Sequence, residues 1–296
     1  MSNTNSLQPK RQKRQLININ TSNYVSGSGN KYSYKFPSPI KFSNCGVSLY
    51  QFNIYNSSYN ISSALGNNTW SMNWLGTNYN FTIADGYYDI SQLNSAFQFS
   101  MVENNLYLLN SSSSQYIYFF DIQVNSIQYK TQLDIYYIPT STEASTLGYS
   151  LPSSASWTFP SIETYPQITL CSGLCSILGI TNQTNNIFPS STDASSKINL
   201  SFLSNTYPIL SPVFAYTITC NLINSDFNVV PNILHQVPLN NSYGNLITLT
   251  NIPMADLTVR DSVYNSIEIT LLDQDYLPLQ YFDKEMVLSL LITSEE

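Results

Sequence analysis

The stretch SIEITLLDQDYLPL (residues 266–279), followed by MVLSLLI (residues 286–292), reads as a strand, an acidic turn, a Pro-Leu pair and a final strand. Ser266–Leu272 and Met286–Ile292 are short runs of β-branched and aliphatic residues that suit a half-buried pleated surface. Asp273-Gln274-Asp275 and Phe282-Asp283-Lys284 carry the turn chemistry between them. Upstream, Ile198–Leu203, Phe214–Ile223 and Leu246–Leu249 read the same way, so the C-terminal third is expected to be nearly all strand.

Working back to the N-terminus, Tyr32, Tyr34 and Phe36 alternate with polar residues, and Val47, Leu49, Phe52 and Ile54 lie in a β-rich run. Trp70–Trp74 and Tyr79–Ile83 predict two further short strands. The period then changes. Asp89 or Ser91 can cap a helix, and Leu93, Ala96, Phe97, Ser100 and Met101 recur at helical spacing, which predicts a helix over about residues 89–103. Strand signals return at Leu106–Leu109, Tyr116–Val124 and Ile127–Ile138. Residues 139–165 are rich in Ser, Thr and Pro and read as loop, as do 181–196. Between them Cys171, Leu174, Cys175 and Leu178 have helical spacing with Gly179 as a stop, so a short helix is expected within Ile168–Ile180. Many short strands and two short helices argue for an all-β sandwich or barrel. The expected organisation is one sandwich built from residues 31–138 and 197–296, with 139–196 as loops or a small insertion.

Composition points to a chain that is buried against others. Of the 296 residues 43% are hydrophobic and 14% aromatic, but only 10% are charged, against about 25% in ordinary soluble domains. The surface is therefore kept wet by Asn, Ser, Thr and Gln, which cost less than Lys or Glu to bury beside a partner. An AT-rich coding bias accounts for part of the Asn and Tyr excess but not for the shortage of Lys. Lys10, Arg11, Lys13 and Arg14 put +4 into the first 14 residues; a total of −7 then leaves −11 on the rest. Residues 1–30 lack the apolar content to fold alone and end near Ser26-Gly27-Ser28-Gly29. They are expected to be a flexible basic arm with a hinge. The arm's functional reading is weak, salt-sensitive contact with phosphates; the plainer one is a solvated tail, or one threading beneath a neighbouring subunit.

The polar opening of the chain predicts no secretory leader, and no apolar run reaches the ~20 residues needed to span a bilayer. Cys45, Cys171, Cys175 and Cys220 are therefore expected to be reduced and cytoplasmic in origin. The Asn-x-Ser/Thr triplets at Asn56, Asn60, Asn80 and Asn110 are chance matches in so Asn-rich a chain.

No constellation of catalytic type stands out. His235 is the single histidine, lies in a segment that reads as loop, and has no Gly-x-Ser-x-Gly elbow to serve. Cys171 and Cys175 supply two of the four ligands a tetrahedral zinc site needs and read as small apolar core residues. Asp273 and Asp275, with Glu268 and Asp283 nearby in sequence, read as turn aspartates bonding their own backbone rather than as an acid–base pair or a calcium loop. No catalytic residue, metal or cofactor is expected.

Four passages resemble one family. The C-terminal hairpin is similar to the last hairpin of the penton (minor capsid) proteins of virophages and Polinton-like viruses. FNIYNSSYNI (52–61) resembles an early strand and turn of that family, FTIADGYYDISQLN (81–94) its strand, Gly-Tyr turn and helix start, and LCSILGI (174–180) a short helix ending in Leu-Gly. Their order holds from about residue 31 to 293, and the likeness is to the mavirus type of penton. The resemblance implies a single jelly-roll β-sandwich forming homopentamers at the fivefold vertices of a small double-stranded DNA virus, in the virion, assembled in the host cytoplasm. It implies a double jelly-roll major capsid protein as partner, and packaged DNA or capsid contacts for Lys10, Arg11, Lys13 and Arg14. Two other readings remain beside it. One is a fibre-head or lectin-like jelly roll binding a host receptor or glycan, with Trp157 as an exposed stacking residue; the other is an enzyme using His235.

Overall fold

The structure, a computed structural model, describes residues 12–21, 29–181, 186–223, 225, 228–250 and 256–295. The chain divides into two compact units, Met1–Ser58 with Val213–Glu296, and Tyr59–Pro212. In chain order the elements are β1 (Gln12–Asn20), β2 (Lys31–Phe42), β3 (Cys45–Tyr55), β4 (Thr69–Trp74), β5 (Thr77–Thr82), α1 (Ile90–Glu103), β6 (Leu108–Asn110), β7 (Tyr116–Ile117), β8 (Phe120–Asn125) and β9 (Lys130–Ile135). There follow α2 (Ser141–Leu147), β10 (Tyr149–Ser150), β11 (Gln167–Leu170), α3 (Ser172–Ile177), β12 (Ile187–Phe188), β13 (Leu200–Leu203), β14 (Ala215–Cys220), β15 (Ile233–Pro238), β16 (Leu246–Thr250), β17 (Leu257–Thr258), β18 (Ser262–Leu272) and β19 (Met286–Glu295). No helix among the described residues is long and apolar enough to cross a membrane.

In the first unit two antiparallel sheets form, one ordered β1-β19-β3-β16 and the other β15-β14-β18-β2. The short β17 continues along β3 beyond β16. The pairing is nested: β1 with β19, β2 with β18, β3 with β16, and β14 with β15 at the centre. A long hairpin rolled up in this way is a jelly roll, made of two four-stranded faces. The expectation of a single jelly-roll sandwich therefore holds for this unit on its own strand order. Residues 59–212 are inserted between β3 and β14, the third and fourth strands of the roll.

Alternation supplies the core. Ile267, Ile269 and Leu271 of β18 and Leu288, Leu290 and Ile292 of β19 are buried together with Val47, Leu49, Phe52 and Ile54 of β3. The β3 set breaks strict period 2, and the reason is a bulge. Ser289 pairs Gln51 while Leu290 pairs Leu49, so Tyr50 is the extra residue and both halves of β3 still point inward. Pro37 and Pro39 sit in β2, which is an edge strand. Its register jumps from Lys35–Ser266 to Ile40–Tyr264 across them, so neither missing N–H breaks a ladder.

The second unit has its own core. Asp89 caps α1: its carboxylate accepts the Gln92 N–H (2.7 Å), and the Gln92 side chain accepts the Asp89 N–H (2.9 Å). Leu93, Phe97 and Met101 are buried from one helix face. Phe97 packs at 4.7 Å from Trp70 and 5.4 Å from Phe120. The β4–β5 hairpin turns on Leu75 and Gly76, both at positive φ, with the Gly76 N–H bonded to Asn73 Oδ1. Asn60 is fully buried and ties three segments together: its side chain donates to the carbonyls of Tyr88 and Leu210 (2.8 Å each) and accepts the Tyr88 N–H (2.9 Å).

Three expectations are corrected. Residues 12–20 are a strand, not part of a flexible arm, because Ile17 and Ile19 alternate with Asn18 and Asn20 and pair along β19 from Asn20–Val287 to Gln12–Glu295. The inserted segment is 59–212, not 139–196; period-2 runs such as Trp70–Trp74 announce strands without saying which sheet they join. Ile127–Ile138 is not one strand, since residues 126–129 form the turn between β8 and β9, with Tyr129 at φ 50°. The short helix expected within 168–180 is present as α3, capped by Cys171 and Leu178, and the residues before it form the strand β11, which pairs β4 and β12. Gly179 does end that region, at φ 75°, where a Cβ would lie 2.5 Å from the Thr206 carbonyl oxygen.

Candidate functional site

The jelly roll presents apolar side chains at one end of the sandwich. The start of β14 and the turn after β18 come together there: the Phe214 N–H donates to Gln274 Oε1 (3.1 Å), and the Phe214 carbonyl accepts the Leu239 N–H (2.8 Å). Phe214 is 64% exposed and Leu277 60%, although neither belongs to a polar turn by chemistry. Asp273 fixes the turn that carries Leu277, because its Oδ1 accepts the N–H groups of Asp275 and Leu277 (2.9 Å each). At the same end Tyr55 and Leu246 pair across β3 and β16, and both are exposed. At the opposite edge of that same sheet Leu16 is 52% exposed on β1. Such side chains on rigid strand ends and tied turns are suited to covering by another protein rather than to holding a reacting group.

The basic residues fall differently from a continuous patch. Lys10 and Arg11 lie outside the described residues. Lys13 and Arg14 are exposed on β1, opposite Ser294 and Thr293 of β19. Successive residues of a strand point to opposite faces, so these two charges are directed apart. The strand is pinned at its far end by Thr21, whose hydroxyl accepts the Met286 N–H (2.7 Å) and donates to the Lys284 carbonyl (3.1 Å). The signal for this strand was readable as the Ile-Asn-Ile-Asn alternation, but the neighbouring charges and polarity masked it.

His235 is on strand β15, not in a loop, opposite Ile218. The prolines at 231 and 238 bound the strand rather than preclude it, because β15 is an edge. Burial pushes its imidazole below the ordinary histidine range. Cys175 and Cys220 are buried and their thiols are pushed up to about 12 by desolvation, which leaves them protonated. Cys171 is the N-cap residue of α3, and its carbonyl accepts the Cys175 N–H (3.0 Å). No group of three or more metal-ligating side chains occurs among the described residues. Asp283, like Asp273, bonds its own turn, through the Glu285 N–H (2.9 Å). Trp157 is a correction: it is half-buried, packs edge-on to Trp74 at 4.9 Å and donates Nε1–H to the Asn105 carbonyl (2.7 Å). Its ring is committed to the second unit's core. Asn56 and Asn60, in two of the Asn-x-Ser/Thr triplets, are buried and spend their amides on backbone carbonyls.

The mavirus penton protein is similar over 97% of this chain and 100% of its own, with 10% sequence identity and a TM-score of 0.42. No protein-family model matches the chain, and no curated protein matches it.

Proposed function

We propose that this chain is a structural capsid subunit that forms pentameric capsomers at the fivefold vertices of a small double-stranded DNA virus. The observation that supports it is the single jelly roll with apolar side chains held out on its strand ends, Phe214 and Leu277 foremost. A ring of identical subunits uses a heterologous interface that closes on itself, and such an interface needs an apolar or aromatic centre. The shortage of surface charge lowers the cost of burying what surrounds that centre. A double jelly-roll major capsid protein is the proposed neighbour. Lys10, Arg11, Lys13 and Arg14 are proposed to meet packaged DNA or a capsid neighbour. The divergence of Lys13 and Arg14 makes that contact distributed rather than a single phosphate clamp. The test is the double substitution Phe214→Asp with Leu277→Asp. It should abolish oligomers in analytical ultracentrifugation while leaving the thermal midpoint near that of the parent, since both positions are exposed. An unchanged sedimentation profile removes the assignment of this surface.

A further inference from the structure

The second unit carries a cleft of about 520 Å³ between β7, β8 and the segment after β9. Tyr118, Tyr136 and Tyr149 line it as half-buried side chains, together with half-buried Asp121 and exposed Lys197. No hydrogen bond of the Tyr118, Tyr136 or Tyr149 hydroxyl occurs among the described residues, whereas the Tyr137 hydroxyl is spent on Glu143 Oε1 (3.0 Å). Burial and the Asp121 carboxylate hold the Tyr118 and Tyr136 phenols above the usual tyrosine range, so each keeps its proton and can both donate and accept.

Asp121 is positioned from behind. Its Oδ1 accepts from Gln98 Nε2 (2.7 Å) and Asn94 Nδ2 (3.2 Å) of α1, and Asn94 Oδ1 in turn accepts the Ile122 N–H (2.9 Å). These bonds fix the carboxylate and leave Oδ2 as an acceptor. Such a group costs little to order when a ligand arrives. The charged side chains of the lining are Asp121 and Lys197. Lys197 is moreover engaged by Glu143 and by Glu163 (3.0 Å), whose carboxyl it holds down at about 2. The cleft therefore offers aromatic faces, several hydroxyls and one fixed acceptor.

We propose that this cleft binds a neutral carbohydrate ring. C–H faces of the sugar lie on tyrosine rings, and its hydroxyls pair with the phenols and Asp121. A quaternary cation would leave the Tyr118, Tyr136 and Tyr149 hydroxyls unpaired, whereas a sugar's hydroxyls pair with them. The inference rests on residues 59–212 alone and stands apart from the assembly reading.

The experiment is saturation-transfer NMR on the full chain with the methyl glycosides of glucose, galactose, mannose and N-acetylglucosamine, and with choline chloride. Transfer to the ring protons of at least one glycoside is expected. The double substitution Tyr118→Phe with Tyr136→Phe removes only hydroxyls and should weaken that binding by roughly three- to ten-fold per hydroxyl, with an unchanged circular dichroism spectrum. If the double variant does not fold, Tyr149→Phe is read in the same way. No transfer to any glycoside, transfer to choline alone, or equal affinity in the variant overturns the proposal. Native mass spectrometry of the same sample reads the oligomeric state independently.

Discussion

His235 couples the stability of the roll to pH. Burial on β15 disfavours its charged form, so the folded state takes up a proton less readily than the unfolded chain. The sign follows from proton binding. Stability from the neutral imidazole is present above the unfolded histidine value of about 6.5 and is lost as pH falls through the depressed folded value. Thermal midpoints between pH 7.5 and 5.5 should therefore drop in the parent, and His235→Gln should flatten that slope. An identical slope in both proteins would contradict this assignment. His235 is a clear example of what a sequence conceals: Pro231 and Pro238 mark a break in both a loop and an edge strand, and only the sheet order decides between them.

β1 and α1 mark the two limits of reading local pattern. α1 was legible because every signal lies within one segment: the Asp89–Gln92 capping box and the Leu93, Phe97, Met101 stripe need no distant partner. β1 depends on β19, more than 260 residues away by the Ser289–Asn18 side-chain bond (2.8 Å), and its Lys13 and Arg14 draw attention to charge instead. α2 was hidden for another reason: Ala144 is its one buried residue, so Ser141–Leu147 has no apolar face to show. The strand makes a testable claim. Deleting residues 1–20 uncovers the β19 edge and removes Ile19, which is 3% exposed. Losing that one buried side chain alone costs about 2 kcal/mol, so the truncated chain should unfold at a lower urea midpoint than the parent. Deleting residues 1–9 should leave that midpoint unchanged, and equal midpoints for both deletions would show that β1 adds nothing to the roll.

Over the whole molecule the sandwich was legible from both ends of the chain, because strands such as Ser262–Leu272 and Met286–Glu295 announce themselves by alternation. The nested pairing and the true extent of the insertion were not. A jelly roll is defined by partners far apart in sequence, and a strand at Thr69–Trp74 looks the same whether it joins the roll or a separate unit. Part of the tyrosine-rich composition lines the 59–212 cleft. The surface that carries Phe214 and Leu277 ties the roll to its proposed place in a ring, since the same patch on each copy must meet a different patch on the next for the ring to close. Native mass spectrometry of the full chain, alone and mixed with a double jelly-roll major capsid protein, measures that closure most directly. A species at five times the 33.4 kDa subunit mass is the predicted result; a stable trimer, or a chain that stays monomeric in both samples, contradicts it.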